Sequence, residues 1–347
     1  MKYLLSLCGG YFTLYVIFGM AMKYFLKIAK INGMVLFGYS LLASMPIVLA
    51  YVLWKRWPQK LESEDSTGFL GRYPTEYKWI GLSGVCTGFV IPTTALLYTF
   101  GFSVMVAMII MRSSLIVISV FVDWILIYQG HSTKKVRPWE YAAVIAALGA
   151  VAIIIGTGFV QKDKGHFNFL GDPMFMGTMA LYIVPYGFRI YILNRFKTKV
   201  NQKAIFGIEQ ISAFGTVALG VTIALLAFHL GGWKPPQMTN FAHGLNPINW
   251  QFGPMFWFTS YGGVAFVSVF IYLYRDGSAT FNTTLNRMTS LLAGTVATVL
   301  LHEVFGLRAV RPHEWGAFGM VILALFFLGM AGRATEKEKA VLQAATA

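Results

Sequence analysis

The sequence predicts an all-α integral membrane protein, with ten transmembrane helices forming two inverted five-helix repeats. Two observations carry the membrane assignment. Apolar runs of about 20 residues, enough to cross a ~30 Å hydrocarbon core as helix, recur along the whole length. Hydrophobic residues make up 56% of the chain and charged residues only 12%, with a mean hydropathy of +0.62, whereas about a quarter of a soluble domain is charged. A third observation, a short motif that returns near the end of each half, carries the repeat.

The predicted spans are 3–22, 33–53, 79–100, 104–127, 139–159, 171–193, 204–230, 252–274, 278–301 and 314–332. Helices are expected because the ten-residue alternation of a lipid-facing barrel is missing and each segment must satisfy its own backbone. The longest connections, 54–78 and 231–251, are too short for a separate core. The first span starts almost at Met1 with no small-residue cleavage site, so it is expected to be a retained helix. Pro46, Pro92 and Pro185 fall inside spans two, three and six and are expected to kink them. Gly84 and Gly88 give the third span a small-xxx-small face for close helix approach. Cys8 and Cys86 lie within spans, which argues against a secreted disulfide framework. The sequon Asn282-Thr283-Thr284 falls within the ninth span and is expected to be unused.

The net charge of +14 reads first as topology and not as a nucleic-acid footprint. With a cytoplasmic amino terminus, 17 basic residues fall on that side and 8 on the other. Both termini are therefore expected in the cytoplasm. Lys23, Lys27 and Lys30 go against the trend and share one face at 3.6 residues per turn, as snorkelling side chains or as an attractor for anions. Trp54, Trp57, Trp79, Trp250 and Trp257 suit interfacial belts better than base stacking. Membrane lipids, and no nucleic acid, are the expected surroundings.

VRPWE, Val136–Glu140, returns 174 residues later as VRPHE, Val310–Glu314. Each follows a long apolar run and opens another. Five helices per repeat is odd, so the second half must enter the membrane inverted. The halves are 1–160 and 161–347, the second ending in a short cytoplasmic tail. This arrangement is a transporter signature, with a duplicated scaffold lacking transport as the plain alternative.

Three arginines fall outside the loops: Arg112, Arg189 and Arg287. A charge near the bilayer centre costs from ~3 to more than 10 kcal/mol, so such residues face a cavity or a partner. Arg287 sits at the depth of Arg112 in the repeat, one position out of register, and Asn286 is the strict equivalent. Thr283, Asn286, Arg287 and Ser290 fall within about 100° of one helix face. Guanidinium takes carboxylate or phosphate bidentately, so the expected substrate is a small polar anion. The expected substrate contacts are Arg112, Arg287, Asn286, Thr283 and Ser290, with Tyr186 beside Pro185. Neutralisation of each arginine by a protein carboxylate is the alternative. Glu209 is positioned to pair with Arg189, and Asp123 lies eleven residues beyond Arg112, about 16 Å along the helix. Glu209 and Asp123 are also the candidate coupling groups.

LLYTFGFSVMVAMIIMRSSLIVISVFVDWILIY over spans three to four, and FNTTLNRMTSLLAGTVATVLLHEVF followed by EWGAFGMVILALFFLGM, resemble the drug/metabolite transporter superfamily, including its EamA-type and nucleotide-sugar-transporter-like branches. The resemblance covers nearly the whole chain. It implies a central cavity lined by spans three, four, eight and nine, alternating access, and spans five and ten at the periphery, where a homodimer contact would form. In branches that carry phosphorylated or nucleotide-linked compounds, basic residues of spans four and nine bind substrate. The matching positions are Arg112 and Arg287.

No G-x-x-x-x-G-K-[ST] occurs, so ATP-driven pumping by this chain is not expected. His302-Glu303 and His313-Glu314 are incomplete fragments of a zinc motif, and no catalytic constellation is present, so neither enzyme activity, cofactor nor metal is expected. The rival functions are export of amino acids or cationic compounds, with Glu209 and Asp123 leading, a lipid-headgroup flippase, and a non-transporting membrane subunit that keeps the fold. The membrane is open between a bacterial inner membrane and a eukaryotic endomembrane.

Overall fold

The computed structural model describes residues 2–57, 65–68, 71–74, 76–130, 137–160, 169, 171–196, 201–232, 234–244, 252–272 and 279–346. In chain order these form α1 (Lys2–Lys23), a π-helical turn (Tyr24–Ile28), α2 (Gly33–Trp54), β1 (Asp65–Gly68), β2 (Gly71–Pro74), α3 (Glu76–Leu97), α4 (Val104–Tyr128) and α5 (Pro138–Val160). There follow α6 (Pro173–Phe196), α7 (Gln202–His229), α8 (Pro236–Gly244), α9 (Phe252–Phe258), α10 (Tyr261–Tyr272), α11 (Ala279–Phe305) and α12 (Pro312–Thr346). Apart from the antiparallel β1–β2 hairpin, registered Asp65 to Pro74, the described elements are helical.

Among the described residues, nine helical segments are long and apolar enough to cross a membrane. The protein is a multi-pass membrane protein whose described spans are helical. These nine coincide with the predicted spans except the eighth. That stretch, predicted as one helix over 252–274, is interrupted at Thr259–Ser260 and yields α9 and α10. Pro46, Pro92 and Pro185 lie inside helices that continue through them.

The repeated motif is a helix-start device in structural terms. Pro138 and Pro312 are the first residues of α5 and α12, where proline's missing N–H is not needed. Glu314 Oε2 accepts from the Arg311 N–H at 3.1 Å, reaching back over the first turn like a capping-box glutamate. Glu314 also pairs with Arg308. Burial pushes the Arg308 guanidinium below the ordinary arginine range, with Glu314 opposing the shift and Arg311 adding to it. Glu140 and Glu314 are both buried.

The chain divides into two compact units, and both draw on each sequence half. Unit 1 comprises residues 1–20, 101–173 and 264–347. Its centre is α4, which buries most of its length and packs against α5, α11 and α12. α5 buries Ala143, Ala146, Ala147 and Ala150 and α12 buries Ala317, Ala324 and Ala331, small side chains that bring two helix backbones close. Unit 2 comprises residues 21–100 and 174–263. There α3 lies along α7, and α2 packs with α3, α7, α8 and α9. Met45, Ile91 and Ala213 form one of its apolar clusters, and Leu41, Met238 and Phe241 another.

The lysines after α1 do not share a face. Lys23 is buried, its Nζ donating to the Phe100 carbonyl at 2.7 Å, while Lys27 and Lys30 are exposed. The helical path ends at Ile28 and Lys30 takes a left-handed backbone, φ 54°, so a common helical face does not extend to it.

Candidate functional site

Arg112 sits in the third turn of α4, whose start is fixed by the Ser103 hydroxyl accepting from the Val106 N–H. The residues of α4 before it are apolar and buried, and Arg112 itself is only 5% exposed. Its Nη2 donates to the hydroxyls of Tyr11 at 3.3 Å and Tyr15 at 3.4 Å, both on α1. The guanidinium also lies over the Tyr15 ring, 5.8 Å from its centroid, within cation–π range. Tyr11 and Tyr15 meet edge to face at 5.4 Å, and Tyr15 meets Phe18 at 6.2 Å. One face of α1 is thus an aromatic ladder one and two turns long, fully buried.

Helix α11 reaches α4 because Gly294 lies against Met108, where any side chain would collide. Both residues around the repeat register are turned into unit 1. Arg287 Nη2 donates to the Leu115 carbonyl at 3.4 Å, on α4 three residues beyond Arg112. Asn286 accepts the Tyr11 hydroxyl proton at 3.5 Å and donates through Nδ2 to Ser268 Oγ on α10 at 2.8 Å. A chain of hydrogen bonds therefore runs Arg112, Tyr11, Asn286, Ser268, through α4, α1, α11 and α10. Ser290 is buried with its hydroxyl donating to the Arg287 carbonyl at 2.9 Å, on its own helix. Thr283 is a residue of α11, and its side chain lies outside the described residues. Ser113 Oγ is buried with no hydrogen-bond partner among the described residues, a condition that calls for an explanation.

A buried guanidinium can do one thing chemically that the apolar surroundings cannot. It can hold an oxyanion with parallel N–H donors and oppose its charge. Tyr11, Tyr15 and Ser268 are partners that the sequence reading did not name. Tyrosine in an apolar run reads as packing, and the Tyr11–Asn286 contact joins residues 275 apart in sequence.

The second ionisable group lies in unit 2. Glu209 is 2% exposed. Its Oε1 accepts from Arg189 Nε at 2.6 Å, Thr87 at 2.7 Å and Ser83 at 3.0 Å, and its Oε2 accepts from Arg189 Nη2 at 3.2 Å. This is a bidentate ion pair with two further donors, the arrangement that a buried carboxylate needs. Tyr186 belongs here too, its ring 5.7 Å below the Arg189 guanidinium and 5.4 Å from Tyr182. Asp123, on α4, is half-buried and belongs to unit 1. The structure thus groups Arg112, Arg287, Asn286 and Ser290 in one unit, and Tyr186, Arg189 and Glu209 in the other. Among the described residues, no cluster of histidine, cysteine or acidic side chains has a metal-binding arrangement.

No family model matches the sequence. No curated protein matches it either. A solved structure described as "Crystal structure of protein" is similar, with a TM-score of 0.54 and 15% identity, over 97% of this chain and 99% of that chain. At that identity the likeness is one of fold alone.

Proposed function

We propose that this protein is a secondary transporter, not driven by ATP, that carries a small polar anion across its membrane by alternating access, with Arg112 and Arg287 holding the negative group. One observation carries the reading: two arginines are buried on α4 and α11, helices that pack against each other in unit 1. Charges placed in a bilayer interior are costly, and where they occur they mark substrate or ion pathways. A ligand with a negative group gains from both guanidiniums at once, whereas a cation would be repelled by both. The inverted repeat, the placement of both termini in the cytoplasm and the resemblance to the drug/metabolite transporter superfamily belong to this proposal and agree with it.

Glu209 takes a structural part in this reading, because its oxygens already accept four hydrogen bonds from Arg189, Ser83 and Thr87. That argues against export of cations led by this carboxylate. The test is thermal unfolding of the detergent-purified protein with phosphorylated, carboxylated, zwitterionic and cationic metabolites, repeated with Arg112→Gln and Arg287→Gln. A ligand that binds only the folded protein raises its melting temperature. Stabilisation by one anionic class, lost in both variants, supports the reading. Equal responses in parent and variants, or stabilisation by cations alone, sink it.

A further inference from the structure

We propose that Tyr11 is a substrate-positioning residue whose hydroxyl changes partner when the anion site fills. In the structure the Tyr11 oxygen accepts from Arg112 at 3.3 Å, while its proton points to Asn286 Oδ1 at 3.5 Å. Both bonds are long, beyond the usual distance for a strong hydrogen bond. The Asn286 amide is oriented for this role by its 2.8 Å donation to Ser268, which fixes its oxygen towards Tyr11. The hydroxyl is buried together with its partners, so it cannot turn to bulk water instead.

An oxyanion on Arg112 competes for both ends of that arrangement. It takes the guanidinium protons that the phenol oxygen accepts, and it offers the phenol proton a charged acceptor in place of a neutral amide. Hydrogen bonds to ionised acceptors are shorter and about twice as strong as neutral ones. The Tyr11 proton therefore turns from Asn286 to the ligand, and no covalent bond or proton transfer is involved. Two consequences follow. Tyr11 adds a donor to the bound state, and Asn286 opposes binding by holding that donor in the empty state. Filling the site also breaks the hydrogen-bonded chain between α1 and α11, which gives the ligand a direct handle on the packing of α11 and, through Ser268, of α10.

The inference rests on the anion reading of Arg112, and one experiment separates the two. The full-length purified protein is titrated with inorganic phosphate and, in parallel, with acetate, and binding is followed by melting temperature in the parent, Tyr11→Phe, Asn286→Leu and Arg112→Gln. Tyr11→Phe keeps the ring and removes only the hydroxyl. It should bind the oxyanion that stabilises the parent roughly tenfold more weakly, the order expected for one lost hydrogen bond to a charged group. Asn286→Leu should bind several-fold tighter than the parent. A merely structural role for this pair would not shift affinity in opposite directions. If Tyr11→Phe saturates with the parent and Arg112→Gln does not bind, the inference about Tyr11 falls and the anion reading stands. If Arg112→Gln binds like the parent, or the parent responds to neither probe, both fall. Should the tyrosine or the asparagine variant fail to fold, the other decides, with unchanged affinity in Tyr11→Phe, or unchanged or weakened affinity in Asn286→Leu, as the overturning result.

Discussion

Gly84 rests on the main chain of Glu209. A Cβ at position 84 would stand 2.5 Å from the Glu209 carbonyl oxygen and 2.5 Å from Ser212 Cβ, and one at Gly88 would stand 2.8 Å from Thr216 Cβ. The two glycines alternate along α3 with Ser83 and Thr87, whose hydroxyls meet the Glu209 carboxylate. Close backbone approach and the polar cluster are thus one design. Small residues bring α3 onto α7, and the approach places two hydroxyl donors on a buried acid.

Gly84→Ala is therefore expected to destabilise the protein by about 2–3 kcal/mol, the usual size of an overpacking defect. Thermal unfolding in detergent measures it. Gly81→Ala, one turn away, meets only Ser212 Oγ at an ordinary 3.6 Å and should be neutral or slightly stabilising through helix propensity.

Removing one partner of the Arg189–Glu209 pair should cost more than removing both. Glu209→Gln leaves a partly buried guanidinium with no opposing charge and is expected to cost roughly 3 kcal/mol. The double variant Arg189→Met/Glu209→Leu should recover part of that loss. A double-mutant cycle on melting temperatures reads the coupling. A Glu209→Gln protein that keeps full stability but loses only the pH dependence of transport would instead make Glu209 a coupling carboxylate.

The interruption between α9 and α10 is held by α2. Ser40 donates to the Thr259 carbonyl at 2.7 Å, Ser260 donates to the Ala43 carbonyl at 3.2 Å, and Ser44 Oγ accepts from the Tyr261 N–H at 2.8 Å. Gly262 lies flat on Ser44, and a side chain there would overlap the Ser44 carbonyl. Ser44→Ala should cost about 1–3 kcal/mol by orphaning a buried N–H, and Gly262→Ala should cost at least as much. Yield and melting temperature of the purified variants give the comparison.

Glu314→Gln weakens the start of α12 by removing the charge that faces Arg308 and the Arg311 N–H. A loss of about 1 kcal/mol is expected, the size of a helix cap. Hydrogen exchange should show it as earlier opening of the first turn of α12, with the centre of the helix unchanged.

Much of this architecture was legible in the residues. Apolar runs long enough to cross a bilayer mark their helices because the bilayer imposes their length, and Arg112 and Arg287 stand out because charge is rare within such runs. The break after Phe258 was not legible by the same rule. Averaged hydropathy runs straight over Thr259–Ser260–Tyr261–Gly262–Gly263, although two glycines beside two hydroxyl side chains are a local breaker signal. Its cause lies more than 200 residues away on α2, which no local pattern contains. A common face for Lys23, Lys27 and Lys30 fails because the helix ends at Ile28 and Lys30 lies beyond it with a left-handed backbone. The VRPxE repeat carries less weight than its recurrence suggested, since proline and glutamate at those positions serve a helix start wherever one is needed.

The broken segment also constrains how the chain crosses its membrane. α9 and α10 have 7 and 12 residues, about 10 and 18 Å of helix, so neither alone crosses a ~30 Å hydrocarbon layer. A crossing by 252–272 would need the two pieces end to end, and the joint between them is then made by a neighbouring helix and not by the segment itself, through the hydroxyls of Ser40 and Ser44.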